Sequence, residues 1–198
     1  MPLRRPTIAR PAIFVDRDGV IIENRANYVK TWAEVQFLPG TFAALRRVAR
    51  SAFALVIFTN QSAVGRGIIT LAQALEINRR VVAEIVAEGG RIDGCYLCPH
   101  HPAEGCDCRK PAPGMLLRAA AELGLDLAHS YAIGDAASDL QAAKAAGVQG
   151  MLVLTGRGRE QAPFLREQGL SSCPVVADLG AAIDLILGTE GTDGGSEP

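Results

Sequence analysis

The sequence predicts an α/β fold with a mainly parallel sheet. Three observations lead there. Short apolar runs recur along the chain without polar interruption, as strands do when both faces of a sheet are covered. They alternate with segments of helical periodicity. Hydrophobic residues make up 48% of 198 residues, enough for the sizeable core of one domain.

The elements follow in order. "AIFVDRDGV" is a buried strand from Ala12 to Val15 that runs into a loop, with Gly19 allowing a sharp turn. "GTFAALRRVARSA" has helical spacing from a threonine start, and "FALVIFTNQ" is a second apolar strand with a polar end. "TLAQALEINRRVVAEIVAEGG" is a long amphipathic helix, opened by Thr70 and stopped by Gly89-Gly90. "IDGCYLCP" is a weaker third strand, and "PGMLLRAAAELGL" a helix with Pro113 near its first turn. "SYAIGD" is a fourth strand, "SDLQAAKAAG" a helix ended by Gly147, and "GMLVLTG" a fifth strand. "CPVVADLGAAIDLIL" supplies a last strand and helix. The organisation expected is an N-terminal extension over 1–11, one domain over 12–188 and a tail over 189–198 too poor in apolar residues to order itself.

Charge and targeting signals narrow the function. A net charge of −1 leaves no basic field to attract nucleic acid, so anion binding must come from local groups. The opening "MPLRRPTIARP" has no apolar core of a secretory signal, and no apolar run approaches a membrane span. The expectation is a cytoplasmic, monomeric protein with no nucleic-acid or membrane partner. Four of the five cysteines lie between Cys95 and Cys108, which in a reducing compartment favours a metal over disulfides.

In such folds ligands bind beyond the carboxyl ends of the strands. The first strand ends in Asp16 and Asp18, the second in Thr59, Asn60, Gln61 and Ser62, and the fourth in Asp135, with Asp139 one helical turn later. Each alone is an ordinary strand end or helix start. Together they gather carboxylates on one sheet edge, where they repel unless a cation sits among them. Hard oxygen ligands suit Mg²⁺, which commonly works with phosphates. A carboxylate can attack phosphorus, a second one two residues on can move the proton, and a lysine can offset charge.

"DRDGV", "TNQS", "RKP" and "GDAASD" resemble, in order, the four motifs of haloacid dehalogenase-type phosphatases. The resemblance covers about Ile13 to Thr155 and implies a Rossmann-like, doubly wound fold and Mg²⁺ dependence. It implies Asp16 as nucleophile and Asp18 as general acid/base, with Thr59 and Lys110 stabilising the phosphoryl group. Mg²⁺ would be held by Asp16, Asp135 and the backbone carbonyl of Asp18; Asp139 would orient the loop. No large cap domain is visible, so a small open site for a small phosphorylated substrate is expected.

The stretch "CPHHPAEGCDC" gives Cys98, His100, Cys106 and Cys108 as C-x-H-x5-C-x-C, a donor set that suits tetrahedral Zn²⁺. His101 could replace His100, and Cys95 could pair with Cys98 but lies in a strand and reads as buried; Cys173 reads as a core residue. Four protein ligands leave no open position, so this zinc would be structural. The loop leads into Arg109, expected on the substrate, and Lys110. This insert resembles the branch holding heptose bisphosphate and histidinol-phosphate phosphatases. "ENRANYVKTWAEVQFLPG" and "TNQSAVGRG" are similar to the heptose enzymes, which places Asn24, Arg25, Ala26 and Asn27 on substrate beside Asn60, Gln61 and Ser62. Two features depart from them: the short x5 spacing of the metal loop resembles the histidinol-phosphate enzymes, and Ala136 stands where the heptose enzymes often have lysine. "TGRGRE", residues 155–160, carries no assignment. A sugar phosphate is the expected substrate, ahead of histidinol phosphate. A zinc-containing binding module without catalysis would have no need of the carboxylate set.

Overall fold

A computed structural model of the chain describes residues 9–189; the expected disorder of the tail, beyond Thr189, lies outside them. Six parallel strands form one sheet: β1 (Arg10–Val15), β2 (Ala54–Asn60), β3 (Gly94–Cys98), β4 (Leu125–Gly134), β5 (Gln149–Val153) and β6 (Val175–Val176). Their spatial order is β3-β2-β1-β4-β5-β6. The helices are α1 (Thr41–Ala49), α2 (Ser62–Gly65), α3 (Leu71–Ala87), α4 (Gly114–Leu123), α5 (Ala137–Ala145), α6 (Gly158–Gln161) and α7 (Leu179–Thr189).

Alternation along β1 shows why its run is wholly apolar. Ile13 and Val15 pack on one face with Leu45 of α1, Val81 of α3 and Ile183 of α7. Ala12 and Phe14 pack on the other with Leu116 of α4 and Ala143 of α5. A strand between two helical layers has no solvent side on which to place a polar residue. Leu55 and Val56 of β2 divide between the same two clusters.

Boundaries differ from the sequence reading in local ways. β1 begins at Arg10, two residues before the expected Ala12, because Arg10 and Pro11 pair with Leu125 and Asp126. β4 therefore starts well before "SYAIGD", with an irregularity in register between Pro11 and Ile13. Thr70 caps α3, its hydroxyl accepting from the Gln73 N–H at 3.1 Å. Thr41 does not cap α1; its hydroxyl donates to the Ile21 carbonyl, and Gly40, at φ 78°, takes the cap position. Among the described residues no helix is long and apolar enough to cross a membrane.

Candidate active site and metal centre

The central strands β1 and β4 deliver the carboxylates to one place. The chain turns to opposite sides of the sheet from this pair, the crevice where α/β sheets bind ligands. Asp16 follows β1 and Asp135 follows β4, with the Asp16 N–H donating to the Ile133 carbonyl at 2.9 Å. Asp16, Asp135 and Asp139 are all buried and bring carboxylate oxygens within 4.8 Å of one another. Burial, with Asp139 and Asp18 adding to it against the pull of Lys110, raises Asp16 to about 6. Burial and the Asp16 charge also raise Asp135, against Arg157.

Lys110 enters from the far side. Its Nζ lies 3.0 Å from Asp16 Oδ1 and 2.6 Å from Asp139 Oδ1, donates to the Phe58 carbonyl at 3.1 Å and sits 4.3 Å above the Phe58 ring. The two carboxylates hold its pKa above the usual lysine value although burial opposes them. Asn60 fixes this residue's backbone at both ends: its amide nitrogen donates to the Lys110 carbonyl, and its oxygen accepts from the Lys110 N–H, each at 3.2 Å. Asn60 is thus occupied with positioning, whereas the sequence reading placed it on substrate.

The carboxylate of Asp18 is not a member of the buried acidic cluster. Fully buried Arg17 grips it through Nη2 at 2.9 Å and Nε at 3.1 Å, and Gln61 Nε2 donates to it at 2.8 Å. Arg17 is itself held by Asn78 Oδ1 at 2.6 Å. Gln61 also donates to the Thr59 hydroxyl, so its amide ties two motif residues together rather than facing solvent.

Asp16, Arg17, Asp18, Thr59, Asn60, Gln61, Lys110 and Asp139 line a cavity of about 420 Å³ that also meets Asn24, Arg25, Ala26, Tyr28, Ser62, Arg109, Ser138 and Arg157, with Asp135 behind Arg157. Asn27, expected here, does not line it; Tyr28 does, at φ 61°. Arg25 lines the wall, but its Nε donates to the Glu34 carbonyl at 2.7 Å. Arg109 reaches the cavity, and its Nη1 is buried without a hydrogen-bond partner among the described residues. A larger groove, about 870 Å³, runs between α3 and α4 along edge strand β3; none of Asp16, Asp18, Asp135 or Asp139 lines it, so we place the chemistry in the smaller cavity.

The residues fit a divalent cation. Three carboxylates at this spacing are a hard donor set. The backbone has been cleared around one of them: a Cβ on Gly19 or Gly156 would stand 2.1 or 2.3 Å from Asp135 Oδ2. Asp139 belongs to this cluster and also accepts from the Ala136 N–H at 3.0 Å, so its geometry allows a part at the metal beyond orienting the loop.

A second cluster stands apart. Cys98 Sγ lies 3.6 Å from His100 Nδ1, 3.6 Å from Cys106 Sγ and 3.0 Å from Cys108 Sγ, and His100 Nδ1 lies 3.2 Å from Cys108 Sγ. Ligand separations about a tetrahedral zinc are roughly 3.3–3.8 Å; the two 3.6 Å separations match that range and the two to Cys108 are shorter, and the four donors lie within 4.8 Å of one another, close enough to share one ion. His101 is elsewhere: its Nδ1 accepts from the Ala103 N–H. Cys95 is exposed on edge strand β3, not buried as expected. Cys173 packs at the edge of a small cluster with Leu165 and Leu170.

The sequence reading missed Arg17 and Arg157. Arg17 lies between two motif aspartates, and its partner Asn78 is 61 residues away. Arg157 lies in the unassigned "TGRGRE", and its contact with Asp135 spans 22 residues. The one available signal was charge: an arginine inside an otherwise acidic strand end, and another after the fifth strand.

A buried carboxylate–lysine cluster at the carboxyl edge of a parallel sheet is the arrangement of the HAD-like hydrolases, and a family profile described as HAD-hydrolase-like matches residues 107–181. A D-glycero-beta-D-manno-heptose-1,7-bisphosphate 7-phosphatase of Yersinia pestis is 40% identical over 184 residues, 89% of each chain. The enzyme of that name from Escherichia coli K12 is 40% identical over 180 residues, 87% of this chain and 93% of its own. A crystal structure of D,D-heptose 1,7-bisphosphate phosphatase from B. bronchiseptica, complexed with magnesium and phosphate, superposes with a TM-score of 0.83 at 37% identity, covering 90% of this chain and 99% of that one. The chain belongs to this family of HAD-like phosphatases.

Proposed function

We propose that the chain removes the 7-phosphate of a D-glycero-D-manno-heptose 1,7-bisphosphate through an aspartyl-phosphate on Asp16. The observation that carries this reading is the buried cluster of Asp16, Asp135 and Asp139 against Lys110, in a chain 40% identical to phosphatases of that name. Asp16 attacks phosphorus; its new O–P bond forms as the bond to the sugar oxygen breaks. Asp18 gives that oxygen its proton. Asp18 then takes a proton from water, whose oxygen attacks the acyl phosphate, and phosphate leaves with Asp16 restored. Arg17 and Gln61 hold Asp18 for both transfers. Lys110 and Thr59 offset and orient the phosphoryl oxygens.

Asp16 and Asp135, with the Asp18 backbone carbonyl or Asp139, would hold Mg²⁺, which when bound neutralises charge on the transferring group. Cys98, His100, Cys106 and Cys108 would hold one structural Zn²⁺, closed to substrate by its four protein donors. Arg109, with Asn24 and Ser62 on the cavity wall, would select the rest of the substrate. The working unit in this reading is a cytoplasmic monomer.

The deciding experiment compares phosphate release from heptose bisphosphate and histidinol phosphate side by side. The heptose ester should win by kcat/KM; a preference for histidinol phosphate overturns the substrate assignment. Asp16→Asn should retain the fold and lose Mg²⁺-dependent release, and near wild-type turnover would remove Asp16 from its role.

A further inference from the structure

Arg157 is a charged group in the cavity that the steps above leave without a task; Arg25, the other, is turned to the Glu34 carbonyl. Its backbone is pinned: the Thr155 hydroxyl donates to the Gly19 carbonyl at 2.6 Å, and the Arg157 N–H donates to Asp135 Oδ2 at 2.9 Å. Its guanidinium also covers Asp135, with Nη2 3.0 Å from Oδ1 and Nε 3.4 Å from Oδ2. Both oxygens of that carboxylate are therefore engaged.

The two partners differ in freedom. Asp135 is fully buried and wedged against Gly19 and Gly156, so it cannot follow a moving partner. The Arg157 side chain is 49% exposed, so it can leave at little desolvation cost. Lys110, by contrast, is buried between two carboxylates. A divalent cation on Asp135 would stand within a few ångströms of the guanidinium, and like charges at that distance repel strongly in a poorly solvated pocket. The neutral backbone N–H bond can stay while the side chain swings.

We propose that Arg157 is a displaceable counter-cation: it covers Asp135 until the divalent cation arrives, then joins Arg109 in holding the second phosphate of a bisphosphate substrate. Both arginines line the same cavity, and the buried Arg109 Nη1 still lacks a partner among the described residues. Two guanidinium groups beside one phosphoryl site match an ester with a second dianion and give no advantage to a simple monoester. The inference rests on the reading of Asp135 as a metal ligand.

The test titrates Mg²⁺ into wild type, Arg157→Gln and Arg157→Lys by calorimetry, without substrate. It then compares KM for heptose bisphosphate with KM for p-nitrophenyl phosphate. Arg157→Gln should bind Mg²⁺ at least about threefold tighter, the competing charge being gone. Its KM for the bisphosphate should rise about tenfold more than its KM for the monoester. Arg157→Lys, with the charge but not the fork, should fall between on both counts. If wild type binds Mg²⁺ and Arg157→Gln binds it no more tightly, or if the two KM values move together, the inference is overturned alone. A wild type that binds no Mg²⁺ overturns the reading beneath it as well.

Discussion

In the proposed mechanism Asp16 meets two demands at once: it must be ionised to attack, yet it is buried beside other acids. Burial raises it to about 6 from 3.8. Below that pH it is protonated and could serve neither as the proposed nucleophile nor as the proposed ligand. Mg²⁺ affinity, measured by calorimetry, should therefore weaken as pH falls through about 6; equal affinity at pH 5 and pH 7 would contradict this. The stability sign is the opposite. A carboxyl whose folded pKa is raised favours the fold while protonated, so in EDTA this group's contribution should decline as pH rises from about 4 through about 6. Gly156 makes a sharper test. Gly156→Ala adds a Cβ 2.3 Å from Asp135 Oδ2 and 2.6 Å from the Gly19 Cα at φ 53°, so Mg²⁺-dependent turnover should fall by about a hundredfold or more and the melting temperature should fall with it. At this scale the sequence was legible where chemistry directly follows a strand: Asp16, Asp18, Thr59 and Asp135 meet in one cavity or cluster because strand ends meet. It was not legible for Arg17, Asn60 or Gln61, whose side chains are committed to partners that only the folded chain brings near.

The loop over 98–108 leads directly into the lysine. It is tied to the end of β2 by the Gln61 N–H on the Cys98 carbonyl, and to α2 by the Gly65 N–H on the Pro99 carbonyl, each at 2.8 Å. A Cβ on Gly65 would meet the His101 backbone nitrogen at 2.2 Å, so helix and loop touch through their main chains. Metal analysis should find about one zinc per chain. Cys106→Ser should lose it and lower kcat, because Lys110 follows two residues after the last donor, Cys108. A zinc-free protein with full turnover would separate the loop from catalysis. The clustering of Cys98, His100, Cys106 and Cys108 was readable without coordinates, since four such side chains in eleven residues have few ways to be arranged. The exposure of Cys95 was not: an apolar run looks alike at the centre and the edge of a sheet.

Over the whole molecule, two helical layers press on one sheet, and the core carries the stability. Leu55, fully buried in the cluster with α1, α3 and α7, should cost about 2–5 kcal/mol when cut to alanine, by urea denaturation, with Mg²⁺-dependent turnover of the folded fraction retained. The alternation of strands and helices was plain in the sequence because both sheet faces are covered. The strand order was not, since it depends on which side of β1 each return passes. That order has a consequence in time. β1, with Asp16 at its end, leaves the ribosome before its neighbour β4, which comes only after the Cys/His loop and α4. A nascent chain that stops at Leu123 holds Asp16, Asp18, Thr59 and Lys110 but neither Asp135 nor Asp139. A growing chain thus holds Asp16, the nucleophile of the proposed mechanism, while lacking two of its three clustered carboxylates, and the cluster is completed only after β4 is made.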